Sequence, residues 1–67
     1  MIGKVKWFNK TKGYGFITTE EDPHDVFVHI SQLDKIGLHF LKEGQRVRFE
    51  TYDDRGRIAA GNLQILN

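Results

Sequence analysis

The chain has 67 residues and a mass of 7.8 kDa, so a second domain with its own core is excluded and residues 1–67 are expected to form one domain. Hydrophobic residues make up 39% and charged residues 28%, which excludes a disordered chain or one that spans a membrane. The net charge is only +1, but residues 1–12 contain four lysines and no acidic residue. With no cysteine and three scattered histidines, we expect no disulfide, metal ion or other cofactor. The N-terminus lacks a signal-peptide pattern, which predicts a cytoplasmic protein.

Apolar residues alternate with polar ones over short segments that end in glycine or polar clusters, a pattern typical of β-strands. We predict five strands, at about residues 2–9, 13–19, 25–30, 45–53 and 57–66. Turns are predicted at residues 9–12, 21–24 and 53–56, and Ser31 is expected to cap one helical turn over residues 32–34. Five short strands are too few for two full sheets, so the predicted fold class is all-β, a small antiparallel barrel that is closed or nearly closed.

Side-chain alternation assigns one face of each strand to the barrel interior. The predicted interior residues are Val5, Gly15, Ile17, Val26, Val28, Val47 and Phe49. The same alternation leaves four side chains facing outward, namely Tyr14, Phe16, Phe27 and His29. Trp7 and Phe8 are adjacent, so one of them must also face water or lie at a bulge. Exposed rings beside lysines provide base stacking and phosphate neutralisation, which favours a surface that binds single-stranded nucleic acid.

The run Lys-Gly-Tyr-Gly-Phe-Ile at residues 12–17 matches the start of the RNP1 pattern of RNA-binding proteins. Its glycines keep the strand surface low, so that bases can lie flat on Tyr14 and Phe16. An RNA-recognition motif uses the same run but needs two amphipathic helices, and the sequence predicts none. The barrel is therefore preferred.

Four ordered segments make the whole chain resemble the bacterial cold-shock protein family. They are Gly-Lys-Val-Lys-Trp-Phe-Asn at 3–9, the run at 12–17, Asp-Val-Phe-Val-His at 25–29 and Leu-Lys-Glu-Gly-Gln at 41–45. The resemblance implies a five-stranded OB-type barrel that binds single-stranded RNA and DNA, prefers pyrimidine-rich strands and acts as an RNA chaperone or antiterminator. By motif position, the resemblance implies the nucleic-acid-binding residues Lys6, Trp7, Phe8, Lys12, Tyr14, Phe16, Asp25, Phe27 and His29.

The chain departs from this family at two positions where the family usually has a stacking aromatic residue. Ile30 follows the Val-Phe-Val-His segment, and Leu38 follows a glycine in the long loop. Aliphatic groups also pack on bases, so both stay candidate binding residues, with ordinary packing as the alternative. Phe40 is expected to anchor the long loop to the barrel, or to compensate in part for Leu38. The family's basic residue in the 53–56 turn is ambiguous between Arg55 and Arg57, and we select Arg55.

Two candidate residues have more than one interpretation. For His29 we favour stacking and hydrogen bonding to a base, because a metal ligand or a general base would need partners that the sequence does not place nearby. Asp25 either accepts a hydrogen bond from a base or braces the preceding turn. The acidic residues at 20–22 are expected to be solvated and to bound the site.

Other function classes can be compared with nucleic-acid binding. An exposed aromatic face can dock a protein, but the core of a protein interface is depleted in lysine. An enzyme has little support, because no nucleophile, metal cluster or paired acids stand out and the short chain leaves little room for a pocket. The sequence has no phosphate-cradling Gly-rich Lys-Ser/Thr motif, so we expect an ATP-independent monomer that does not contact membranes.

Overall fold

The computed structural model describes residues 1–19 and 24–66. The strands are β1 (Ile2–Asn9), β2 (Tyr14–Thr18), β3 (Val26–His29), β4 (Arg46–Asp54) and β5 (Arg57–Ile65), and one short helix, α1, spans Ile30–Asp34. Each predicted strand is confirmed, with ends that differ by at most one residue. The acidic residues at 20–22 lie outside the described residues. So does the turn predicted at 21–24, apart from its last residue.

The five strands form a closed barrel in the order β1-β2-β3-β5-β4. Neighbouring strands are antiparallel except at β3 and β5, where Phe27 lies opposite Ala59 in a parallel pair. The predicted five-stranded barrel is confirmed, and its single parallel pair has a geometric reason. Strand directions cannot alternate all the way around a closed ring with an odd number of members, so one neighbouring pair must be parallel.

The interior of the barrel is the hydrophobic core. Every apolar residue predicted to face inward is buried, and Ile17, Val28 and Val47 have no exposed surface. Four buried residues complete the core beyond that prediction, Leu33, Leu41, Ala60 and Leu63. Leu33 comes from α1, which packs against β5 and β3.

A bulge in β1 resolves the adjacent aromatic residues Trp7 and Phe8. The register of β1 against β2 shifts between Val5 and Trp7, after which Trp7 lies opposite Phe16 and Phe8 opposite Gly15. Trp7 therefore joins the outer face, as the sequence predicted for one of the pair. A Cβ atom on Gly15 would lie 2.3 Å from the carbonyl oxygen of Trp7, so the close approach of β1 and β2 requires glycine.

The two connections next to the outer face are tightly specified. Helix α1 is capped by His29, whose side chain accepts a hydrogen bond from the backbone of Ser31, so the predicted cap residue supplies the donor and not the acceptor. In the turn between β4 and β5, Arg55 and Gly56 both have positive φ, at 58° and 87°. This pair of values is that of a two-residue type I′ hairpin, which confirms the turn predicted at 53–56.

Candidate nucleic-acid interface

Five aromatic side chains form a continuous surface on the outer face of β1, β2 and β3. We call it the aromatic platform, and its members are Trp7, Tyr14, Phe16, Phe27 and His29. The strand register sets its order, because Phe16 lies opposite both Trp7 and Phe27, and Tyr14 lies opposite His29. The ring centroids of Trp7 and Phe16 are 5.3 Å apart, and those of Phe16 and Phe27 are 5.8 Å apart.

The spacing along the strands suits successive stacked bases. The centroids of Tyr14 and Phe16 on β2 are 6.3 Å apart, and those of Phe27 and His29 on β3 are also 6.3 Å apart. Two residues of a strand rise by about 6.8 Å, so this interval follows from the strand geometry. Most contacts between neighbouring rings are edge-to-face, an arrangement that holds each ring in a fixed orientation.

Phe27 is the member of the platform that departs from expectation. It lies on the outer face as alternation predicted, but its side chain is only 6% exposed, so the expectation that it faces water is wrong. Tyr14, Phe16 and His29 surround its ring, and the guanidinium carbon of Arg57 lies 3.7 Å from its centroid. Arg57 therefore covers one face of the Phe27 ring through a cation–π contact.

The position of Arg57 is fixed by the β4–β5 hairpin. Its guanidinium lies 3.7 Å from the carboxylate of Asp54, and the side chain remains 53% exposed. Arg55 occupies the tip of the same hairpin and is exposed. Of the two arginines that the sequence left ambiguous, Arg57 is the one whose guanidinium the structure brings onto the platform, although Arg55 was selected.

A second ion pair joins two of the predicted binding residues. The Nζ atom of Lys6 donates a hydrogen bond to Oδ2 of Asp25 at 3.0 Å, and the side chain of Lys6 remains 52% exposed. The pair links β1 to the segment that leads into β3, so Asp25 braces this corner of the barrel. Both Lys6 and Arg57 are thus partnered by a carboxylate beside the platform.

His29 presents one defined nitrogen to a ligand. The backbone N–H of Ser31 donates to Nδ1 of His29 at 3.1 Å, so this nitrogen carries no proton. In the neutral ring the proton is then on Nε2, and this nitrogen is a hydrogen-bond donor. The helix cap therefore selects the tautomer of a residue that lies on the platform.

Some predicted site residues pack inward. Phe8 is half-buried against the core, on the opposite face of β1 from Trp7. Ile30 and Leu38 are also half-buried against the core, which favours the packing alternative for both. Lys12, by contrast, is exposed in the β1–β2 turn, where its backbone N–H donates to Oδ1 of Asn9 at 2.9 Å.

The long loop before β4 carries an exposed aromatic ring, Phe40, which was expected to anchor the loop to the barrel or to compensate in part for Leu38. Phe40 is 45% exposed, so it does not anchor the loop in the barrel. The Nζ atom of Lys10 lies 5.5 Å from the centroid of its ring, which places the loop beside the β1–β2 turn. We call Lys10, Ile30, Leu38 and Phe40 the loop end of the interface.

Sequence reasoning missed the contact between Arg57 and Phe27 and the pairing of Lys10 with Phe40. The turn predicted at 53–56 places Arg57 next to a hairpin, but Arg57 lies beside Phe27 because β5 pairs in parallel with β3. That pairing joins segments distant in sequence and leaves no local pattern.

Within residues 1–19 and 24–66, no group of three or more His, Asp or Glu side chains is arranged to hold a metal ion, and no helix there is long and apolar enough to cross a membrane.

Comparison with known proteins gives matches that extend over nearly the full chain. The model of the 'Cold-shock' DNA-binding domain matches residues 1–66. Cold shock-like protein CspA of Rickettsia bellii is 54% identical over 65 residues, which cover 97% of this chain and 93% of that protein. Cold shock-like protein CspE of Escherichia coli is 49% identical over 64 residues, which cover 96% of this chain and 93% of that protein. The cold shock-like protein of Aquifex aeolicus is 45% identical over 64 residues, which cover 96% of this chain and 91% of that protein.

Proposed function

The chain belongs to the cold-shock DNA-binding domain family, and from this premise we propose that it binds single-stranded RNA and DNA by stacking successive bases on the aromatic platform. As a member of this family it is a nucleic-acid-binding protein and not an enzyme. The observation that carries the proposal is the register of rings across three adjacent strands, at an interval of 6.3 Å along each of β2 and β3. Bases in a duplex are already stacked on each other, so this surface favours unpaired strands.

The cations around the platform supply the second requirement of a single-strand site. Lys6 lies on β1, Lys12 in the following turn and Arg57 on β5, where its guanidinium contacts Phe27. A nucleic-acid backbone that follows the rings would pass these charges and release counterions as it binds. The binding residues of the proposal are accordingly Lys6, Trp7, Lys12, Tyr14, Phe16, Asp25, Phe27, His29 and Arg57, with Arg55 beside them in the hairpin.

A preference for pyrimidines is part of the proposal. The protonated Nε2 of His29 donates a hydrogen bond, and thymine and uracil offer carbonyl oxygens as acceptors. Small pyrimidine rings also fit a surface in which neighbouring side chains already contact each other edge to face. The preference is therefore expected to depend on His29 more than on the flanking lysines.

The biological activity we propose is ATP-independent RNA chaperoning or antitermination. A protein that binds unpaired bases shifts the equilibrium of a weak hairpin toward its open form by mass action, without an energy source. We further propose that the protein acts as a monomer in the cytoplasm.

Trp7 provides the test, because it is a platform residue and the protein's one tryptophan. Titration with oligo-dT is expected to quench its fluorescence, and titration with a hairpin stem of matched length is expected to have little effect. Phe16→Ala should weaken oligo-dT binding by about 1 to 3 kcal/mol. Ile58→Ala serves as the control, since Ile58 is an exposed apolar residue that lies on the opposite face of β5 from Arg57. Equal binding of stem and oligo-dT would contradict the proposal.

A further inference from the structure

The free protein places one of its own cations on the central stacking surface. Arg57 lies 3.7 Å from the centroid of Phe27, and Phe27 is the least exposed ring of the platform. A guanidinium at this distance occupies the place in which a base would stack. We propose that Arg57 is a displaceable cap that a base replaces on Phe27, and that the released guanidinium then pairs with the nucleic-acid backbone. This inference rests on the proposed function.

The cap is held by two contacts that a ligand can replace. One is the cation–π contact with Phe27, and the other is the ion pair with Asp54, which is a long contact at 3.7 Å between two partly exposed side chains. A base stacked on an aromatic ring stabilises more than a cation–π contact does when the guanidinium is itself about half-exposed, as that of Arg57 is. A phosphate group can take over the role of the Asp54 carboxylate, because arginine binds both groups through the same pair of N–H donors.

The hairpin keeps the cap close after displacement. Arg55 and Gly56 form a two-residue turn between the paired residues Asp54 and Arg57, and the backbone N–H of Gly56 donates to the Asp53 side chain at 3.0 Å. The backbone of Arg57 is further held by its antiparallel pairing with Asp54 of β4. Only the side chain needs to rotate, so the cation stays beside the strand that displaced it.

This arrangement has two opposite effects on affinity. Displacing Arg57 opposes binding by the strength of the cap, whatever the charge of the ligand. The phosphate contact made afterwards favours binding, but this contribution decreases as salt is added and vanishes near ~1 M salt. Removing Arg57 should therefore weaken binding at low salt and strengthen it at high salt.

The experiment measures oligo-dT affinity from Trp7 fluorescence across a salt series, for the wild type and for Arg57→Ala. The slope of log affinity against log salt should decrease by about 0.7 in the variant, as expected for one lost phosphate contact on a single strand. Extrapolated to ~1 M salt, the variant should bind about 2- to 5-fold more tightly than the wild type, which is the strength of an exposed cation–π contact. The two lines are thus expected to cross.

One uncharged ligand and two further variants separate the cap from other effects. A methylphosphonate oligo-dT has the same bases without backbone charge, and Arg57→Ala should bind it more tightly than the wild type at all salt concentrations. Arg55→Ala is the matched control, since it removes the neighbouring arginine at the hairpin tip and should not raise affinity for the uncharged strand. Asp54→Asn loosens the cap while retaining Arg57, and it should give a smaller gain in the same direction.

The alternatives give different results. If Arg57→Ala weakens binding at ~1 M salt and to the uncharged strand, the guanidinium is itself a base contact and the cap model is wrong. If both affinities are unchanged, the cap does not compete with the ligand, which also overturns the model. Failure of the wild type to bind oligo-dT would instead contradict the proposed function. Arg57 is exposed, and a thermal melt of each variant checks that the barrel is retained.

Discussion

At the aromatic platform the rings are carried by paired strands, whereas at the loop end the corresponding surface is built from a short helix, a turn and a long loop. The platform rings contact one another at centroid distances of 5.3 to 6.3 Å, and the barrel register fixes their order. At the loop end, Ile30 and Leu38 pack against the core and Phe40 contacts the Lys10 side chain. A surface fixed by strand pairing is organised before a ligand arrives, while one on a loop must be ordered by it.

The difference implies that the platform determines affinity and the loop end modulates it. The conformational entropy that is lost when the loop end becomes ordered offsets part of the stacking free energy gained there. Short strands that cover the platform should therefore retain most of the binding free energy. Four sets of substitutions test this division.

The largest effect is expected from Phe27→Ala. Because Phe27 is both central and buried, its loss should weaken oligo-dT binding by about 1 to 3 kcal/mol and lower the free energy of unfolding by about 3 kcal/mol. Phe16→Ala, at a half-buried site, should affect binding similarly with less loss of stability. Fluorescence titration and thermal melting separate the two effects. If Phe27→Leu restored stability but not binding, the ring itself would be the binding element.

Phe40→Ala is expected to have a smaller effect that depends on ligand length. The exposed ring should contribute less than about 1 kcal/mol, because the loop must be ordered on binding, and only strands long enough to reach it should be affected. Unfolding should hardly change. Ile36→Ala is the control, since Ile36 is a similarly exposed apolar residue of the same loop. No loss with long strands would place Phe40 outside the interface, and an equal loss with short strands would contradict its assignment to the loop end.

Aromatic substitutions at Leu38 and Ile30, where the chain departs from the family, should change the affinity by still less. Leu38→Phe should tighten the binding of long strands by less than about 1 kcal/mol, because part of the added ring will pack inward as Leu38 does. Ile30→Phe should give no gain, since a Cβ at Gly13 would already lie 3.0 Å from Ile30 Cγ2 and leaves little room. Isothermal titration with short and long strands tests both. A gain at Ile30 alone would show that this position faces the ligand.

The smallest expected effect distinguishes the two lysines at the platform. Lys12→Gln should lower the salt slope by about 0.7, the value for one phosphate contact on a single strand. Lys6→Gln should lower it by less, because Lys6 is already paired with Asp25 at 3.0 Å. Lys6→Gln combined with Asp25→Asn tests the reason for the difference. Equal slopes for both single variants would show that the ion pair opens completely on binding.

The sequence predicted those parts of the protein that depend on local periodicity. The strands, the inward valines and the outer position of Phe16 follow from alternation, and the 53–56 turn follows from its Asp and Gly residues. The cover on Phe27 and the exposure of Phe40 were not predictable in this way. Each depends on which distant segment lies alongside, β5 in one case and the β1–β2 turn in the other.

His29 was predicted in its position but not in its second role. Its place on β3 follows from alternation, whereas its capping of α1 depends on the chain turning into a helix at the next residue. Ser31 is the more common type of capping residue, which explains the wrong choice. The correction matters because the cap determines which nitrogen of His29 carries the proton.

The parallel seam between β3 and β5 has a consequence for the motions of the barrel. The register of β3 against β5 contains one residue pair, Phe27 with Ala59, whereas β4 and β5 are paired over most of their length. Local opening occurs most readily where few backbone hydrogen bonds must break, so amide hydrogen exchange should be fastest along this seam among the strand junctions. Opening there separates Arg57 from Phe27, and a strand bound across both elements would hold them together. Slower amide exchange at β5 on ligand binding would then show that the seam has closed. The signal would come from β5 itself, a strand that carries no platform ring.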